Sequence, residues 1–331
     1  MNRSQHTPLS ELIERADDFE RNGFFDKALE CWRVVLKHKR DAIALCRFGR
    51  VAMKADKPTE AQQAFENALR LDPNLAIAHT CLGLSLRDSG SSEEAIKHLE
   101  TSASLDPNAA TYTLLGTVQL QSGRISKARN AFQEAIKMDP GYEEAYYNLG
   151  LTLALDQPAE AINVFERAVQ IDPEYAEAHS ELGQALRRIN ENVRAEYHLK
   201  KAVVLDGTDG WAYLYLANIS WINNDLPSAE NYFKTVIALW PTSTIPLWSL
   251  AMFYQYQDRI DEAETLYQQA LLLEPNDTES NKRFAIYLRD VGETEKARIY
   301  LKRAMSLDPD DDSIADLLTD LDTDFGSKFL H

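Results

Sequence analysis

Residues 61–73 read AQQAFENALRLDP. Ala61, Phe65 and Ala68 fall four and three residues apart, so at about 100° per residue they share one helix face. Leu71-Asp72-Pro73 ends that helix, because proline lacks the N–H a helix interior donates and its ring clashes with the preceding turn. Taken alone, the stretch predicts one amphipathic helix. Its recurrence decides the fold.

The first alanine belongs to a ladder, Ala28, Ala61, Ala95, Ala128, Ala161, Ala195, Ala229, Ala263 and Ala297, with rungs 33 or 34 residues apart. Four residues after each rung stands a large apolar side chain: Trp32, Phe65, Leu99, Phe132, Phe165, Leu199, Phe233, Tyr267 and Leu301. Three further on stands a small or short one, from Val35 and Ala68 to Val236, Ala270 and Ala304. Most copies end on proline, at Pro73, Pro107, Pro140, Pro173, Pro241, Pro275 and Pro309. The corresponding slot at 205–207 reads LDG, where Gly207 is expected to take the left-handed conformation that closes a helix. A second signature follows most of these stops: Leu82-Gly83, Leu115-Gly116, Leu149-Gly150 and Leu182-Gly183, with Ala217, Ala251 and Ala285 at the glycine position later on. A small residue there lets two helices approach closely, so each unit reads as two antiparallel helices joined by a short polar turn.

This combination of period, Leu-Gly pair, alanines, aromatic or Leu, and terminal Pro resembles the tetratricopeptide repeat (TPR) family over residues 9–309. The resemblance implies an all-α, right-handed superhelical solenoid of about nine helix-turn-helix units at 9–41, 42–75, 76–108, 109–142, 143–175, 176–209, 210–243, 244–277 and 278–309. An N-terminal extension (1–8), a C-terminal capping helix (310–323) and a tail (324–331) complete the expected organisation. The first unit has Ala16 and Arg40 where others have Gly and Pro, as suits a terminal repeat facing water on one side.

Charge narrows the partners. Lys and Arg number 35 against 52 Asp and Glu, a formal net charge of −17. Nucleic-acid affinity rests on cations neutralising phosphates, so nucleic acid is not expected. Residues 1–54 carry 11 basic and 8 acidic groups, whereas 308–331 carry one Lys and 8 Asp, a polarity that permits head-to-tail self-association. The start, MNRSQHTPLSELIERADD, has no apolar core, and no run of 18 residues lacks charged or strongly polar interruption. Cys31, Cys46 and Cys81 form no CxxC pair, which fits buried apolar filler in a reducing compartment. The expected setting is cytoplasmic, without membrane insertion.

Nothing in the pattern supplies a catalytic constellation: no G-x-S-x-G, P-loop or H-E-x-x-H occurs, and no cofactor is expected. His79 and His98 recur as His179 and His198 at matching positions of the third and sixth units. Two histidines are too few for a closed zinc site, so packing or hydrogen bonding is expected, with no metal. The acidic run DPDDDS, 308–313, lacks the glycine and distal glutamate of a calcium loop and reads as a helix start.

One helix carries more apolar surface than a core requires. In WAYLYLANISW, 211–221, the stripe Tyr213, Leu216, Ala217 and Ser220 suits the repeat core, yet Trp211, Leu214, Asn218, Trp221 and Ile222 form a second stripe. The resemblance places that second stripe in a concave groove lined by first helices, beside Ile245, Trp248, Met252, Gln255 and Tyr256 of the next unit. Contact between neighbouring helices accounts for Leu214. It accounts poorly for three tryptophans and a tyrosine, because Tyr213, Leu216, Phe233, Leu250 and Tyr267 already occupy the core slots. Towards the N-terminus the same mapping gives a secondary basic groove, Arg50, Lys54, Arg87, Arg187 and Arg188, suited to an acidic peptide. Two recognition schemes known in the family do not map: no three units hold the carboxylate clamp of chaperone-binding members, and the asparagine ladder of glycosyltransferase members finds only Asn148.

The function expected is a non-enzymatic scaffold, adaptor or assembly factor that binds a peptide or helical segment of another protein. The alternatives are a self-assembling structural protein and a regulatory subunit of a separate enzyme.

Overall fold

The computed structural model describes residues 8–328, with side chains to Leu321. Of the expected N-terminal extension only Pro8 falls within them, and residues 329–331 of the expected tail lie outside. Among the described residues all regular secondary structure is helical. The chain divides between Pro173 and Glu174 into two compact units.

The first unit holds five helix pairs: α1 (Leu9–Arg21) with α2 (Phe25–His38), α3 (Ala42–Lys54) with α4 (Pro58–Leu71), α5 (Ala76–Asp88) with α6 (Ser92–Leu105), α7 (Ala109–Gln121) with α8 (Ile125–Met138), and α9 (Glu143–Leu153) with α10 (Pro158–Ile171). The second holds four, α11 (Ala176–Arg188) with α12 (Asn192–Leu205), α13 (Gly210–Ile222) with α14 (Leu226–Leu239), α15 (Ile245–Tyr256) with α16 (Ile260–Leu273), and α17 (Thr278–Asp290) with α18 (Thr294–Leu307). A last helix, α19 (Asp312–Lys328), continues into the stretch expected to be tail.

The alanine ladder sits where the pattern requires. All nine rungs are fully buried, and the side chains four residues on are at most 2% exposed. The glycine of the Leu-Gly pair is a steric necessity at Gly116: a Cβ built there would lie 2.5 Å from Cε1 of Phe132, inside the ring's van der Waals surface. The first helix can therefore rest its backbone on the ring of the second.

Turns within eight of the nine pairs share one device, and the α9–α10 turn, which leaves its helix through αR Ala154, does without it. Gly23, Asp56, Gly90, Gly123, Asn190, Asn224, Asp258 and Gly292 all have left-handed φ between 57° and 87°. Gly, Asn and Asp tolerate that conformation, so the polar turns carry them at one repeating slot. Between pairs, the residue before proline is extended, as at Asp72 (φ −140°, ψ 95°), because proline forbids its helical conformation. Its carboxylate accepts from the backbone N–H of Asn74 at 3.0 Å, closing a side-chain turn.

Gly207 corrects an expectation. Its φ is not left-handed. Asp206 is extended (φ −128°, ψ 98°) exactly where the Asp-Pro units are extended, and its carboxylate accepts from Thr208 N at 2.9 Å. The aspartate makes this exit without proline or a special glycine.

The three cysteines are buried and unpaired. Burial, with the neighbouring Cys81, pushes the Cys46 thiol up to about 12, and burial raises Cys81, so both stay protonated fillers. No helix among the described residues is long and apolar enough to cross a membrane.

Candidate functional site

The aromatic content of α13 and α15 converges on one pocket in the second unit. Trp221, in the last turn of α13, meets Phe253 of α15 edge-on, with ring centroids 5.5 Å apart and planes at 89°. It meets Tyr256 at the end of α15 at the same 5.5 Å, and Phe233 of α14 at 6.4 Å. Edge-to-face geometry sets the positive ring edge against a negative face, so these contacts hold the indole in one orientation. Beside it opens a cavity of about 370 Å³ lined by Trp221, Met252, Gln255, Tyr256, Tyr267, Arg283, Ile286 and Asp290. Tyr267 of α16 forms the floor, where it is 1% exposed and its hydroxyl donates to Gln255 Oε1 at 3.2 Å. Tyr256 stands at the mouth, 70% exposed.

The polar groups on the wall are held in place. Arg283 of α17 stacks its guanidinium over Trp248, 4.2 Å from the ring centroid, and pairs with Glu279 at 2.7 Å. Gln255 Nε2 donates to Asp290 Oδ2 at 3.0 Å, tying the end of α15 to the end of α17.

The expected apolar surface is thus only partly one site. Trp221, Met252 and Tyr256 line the pocket, and Trp248 backs it through Arg283. Ile245 is partly buried, and Ile222 is 64% exposed on the last residue of α13 without lining the cavity. Leu214 is corrected to core: it is 7% exposed and belongs to the second unit's buried hydrophobic cluster. Asn218 is half-buried, its amide donating to the Leu214 carbonyl of its own helix at 2.8 Å. Trp211 keeps 47% exposure but lies about 15 Å along the helix from Trp221, since each residue rises 1.5 Å. It packs on Trp240, with centroids 4.9 Å apart, and Trp240 in turn fills the space over Gly210.

The five basic residues do not form one set. In the first unit Lys54 pairs with Glu20 and Arg87 with Asp88, each at 2.7 Å, while Arg50 is exposed on α3. In the second, Arg187 stacks over Tyr215 at 4.9 Å, and Arg188 is exposed at the end of α11.

Arg283, Ile286 and Asp290 escaped the sequence mapping, which stopped one unit short, and Tyr267 was assigned to the core alone. The register carries Met252 to Ile286 and Tyr256 to Asp290, each 34 residues on, so the signal was present for the two α17 positions. Arg283 enters through packing geometry that periodicity does not encode, and periodicity buries Tyr267 without showing that it also borders a cavity.

The histidine pairs hydrogen-bond within helix pairs. His79 Nδ1 lies 2.9 Å from His98 Nδ1, and His179 Nδ1 lies 2.9 Å from His198 Nδ1. His79 Nε2 is 3.0 Å from the Pro73 carbonyl, which only accepts, so that nitrogen carries the proton and His98 Nδ1 donates to His79 Nδ1. Among the described residues no group of three or more His, Cys, Asp or Glu could hold a metal.

Helix pairs repeated at 33–34 residues, each closed by a small residue against a ring or a leucine, define an all-α repeat protein. Sequence families described as "TPR repeat" (residues 116–157 and 153–190), "Tetratricopeptide repeat" (46–110) and "YpiA-like, C-terminal tetratricopeptide repeats" (245–311) match along the chain. The chain belongs to the tetratricopeptide repeat family. It is 32% identical over 140 residues to the probable UDP-N-acetylglucosamine--peptide N-acetylglucosaminyltransferase SPINDLY of Hordeum vulgare, covering 40% of this chain and 15% of that protein. It is 29% identical over 114 residues to the peroxisomal targeting signal receptor of Candida glabrata, covering 34% and 18%. The chain thus spans less than a fifth of these relatives' own length. Among solved structures, the APC/C hetero-tetramer Cut9-Hcn1 shares the fold, with a TM-score of 0.58 at 17% identity over 95% of this chain and 76% of that one.

Proposed function

We propose that this protein is a non-enzymatic scaffold, adaptor or assembly factor whose second unit binds a peptide or helical segment of another protein at the pocket between α13, α15 and α17. One observation carries the reading. The aromatic residues in excess of the core wall a cavity of about 370 Å³ that the chain's own side chains leave open, with Tyr256 70% exposed at its mouth. A rigid aromatic wall anchors a partner at low entropic cost, because few rotatable bonds are frozen on binding. Its family membership and the relative named as a targeting signal receptor support the same class of function. Two buried, protonated thiols suit a reducing compartment, which the reading takes as the cytoplasm.

Site-specific photo-crosslinking tests it. A crosslinker replacing Tyr256 is expected to capture a partner in cells, whereas one replacing Val193, 84% exposed on α12, is not. Equal capture from both positions contradicts the site.

A further inference from the structure

The pocket is walled by rings but opens among negative charges, and that combination selects an occupant. Trp221 lies in the last turn of α13, Met252, Gln255 and Tyr256 close α15, and Ile286 and Asp290 close α17. Three helix C-termini therefore gather at one cavity, each carrying roughly half a negative charge from its terminal carbonyls. Asp290 adds a carboxylate whose Oδ2 accepts from Gln255 and whose Oδ1 pairs with Arg289 at 3.0 Å, an ion pair between sequence neighbours that an incoming cation would share. The cation on the wall, Arg283, is already engaged by Glu279 and Trp248. Residues 174–331 carry 15 Lys and Arg against 27 Asp and Glu, giving 15 − 27 = −12, so this unit's field draws in cations.

The unit's own aromatic rings show what they accept. Arg187 stacks over Tyr215 at 4.9 Å, Arg259 over Tyr254 at 3.7 Å and Arg283 over Trp248 at 4.2 Å. Among the described residues, no Lys or Arg stacks over Trp221 or Tyr256, the two rings that flank the open cavity.

Resting on the reading of this pocket as the partner site, we propose that it takes a lysine or arginine side chain from a basic segment of the partner protein. The aliphatic stem lies along Trp221, Met252 and Ile286, and the cation sits between the Tyr256 ring and the Asp290 carboxylate.

The test is selection from a phage-displayed library of random dodecamers on the full chain, followed by fluorescence anisotropy with the selected synthetic peptides. Selected peptides are expected to share a Lys or Arg whose replacement by norleucine, which keeps the stem and removes the charge, weakens binding about tenfold. Asp290→Asn, whose amide oxygen can still accept from Gln255, should weaken the same peptides several-fold with at most the small melting-temperature change of a lost surface ion pair, and Tyr256→Ala should weaken them at least as much. Peptides that need Tyr256 but anchor through an uncharged or acidic residue overturn the cation and leave the pocket reading standing. Peptides indifferent to Tyr256→Ala, or no selected peptide at all, overturn both.

Discussion

The two units place different chemistry at the same repeat positions. Relative to the alanine ladder, the slot held by Trp221 in α13 is Arg87 in α5 and Arg187 in α11, and the slot held by Tyr256 in α15 is Lys54 in α3. Arg87 and Lys54 are each closed by an ion pair, with Asp88 and Glu20, whereas Trp221 and Tyr256 wall an open cavity. The closing residue differs as well: Gly49, Gly83, Gly116 and Gly150 in the first unit become Ala217, Ala251 and Ala285 after Gly183 in the second. One backbone register thus supports either a charge-neutralised surface or a preorganised apolar one. The repeat sets where a side chain points, and the residue there sets what it offers.

The largest effects test the shared core. Phe132→Ala and Phe233→Ala each remove a fully buried ring and should cost about 3–5 kcal/mol in thermal or denaturant unfolding. They should part in one respect: Phe233 supports Trp221, so its loss also perturbs the pocket's tryptophan fluorescence, and loss of Phe132 does not. Equal fluorescence changes would break the comparison.

Next comes the glycine slot. Gly116→Ala drives a methyl into the Phe132 ring, an overpacking cost of about 1–3 kcal/mol set against roughly 1 kcal/mol of gained helix propensity. The clash should win, giving net destabilisation in urea unfolding. Ala251→Gly, the reverse exchange in the second unit, should also destabilise, by about 1–2 kcal/mol, because it loses propensity and a buried methyl together.

The twin histidine pairs sharpen the contrast through pH. Burial first, then His179 and Arg194, lowers His198 from 6.5 to about 4. Burial and His79 lower His98 too, but Glu94 and Glu66 oppose the shift. The unfolded chain takes up its proton near pH 6.5 and folded His198 only near 4, so the contribution is whole above 6.5 and is lost as pH falls toward 4. NMR titration should find His198 protonating at lower pH than His98, and the reverse order would contradict the assigned surroundings.

The smallest effect is expected at the surface. Lys54→Ala breaks an exposed pair and should cost less than about 1 kcal/mol, with the loss shrinking further in salt.

The fold was legible in the sequence because each repeat states the same constraint again: alanine rungs, a large apolar side chain four residues on and a helix stop form a pattern that nine copies make unambiguous. The candidate pocket was legible only in part. Periodicity assigns a side chain to a face, which was enough for Trp221, Met252 and Tyr256. It does not say whether the neighbouring helix covers that face, which is why Leu214 joined the core, nor how far apart two residues of one stripe lie, which separated Trp211 from Trp221. Gly207 failed for a local reason, since the Asp206 side chain made a turn that glycine was expected to supply.

Amide hydrogen exchange with and without a bound selected peptide tests the central claim most directly. The account predicts protection confined to the C-terminal turns of α13, α15 and α17, around Trp221, Met252 to Tyr256 and Ile286 to Asp290. Protection that appears instead on α3 and α5 of the first unit, or leaves those three turns unchanged, would contradict it.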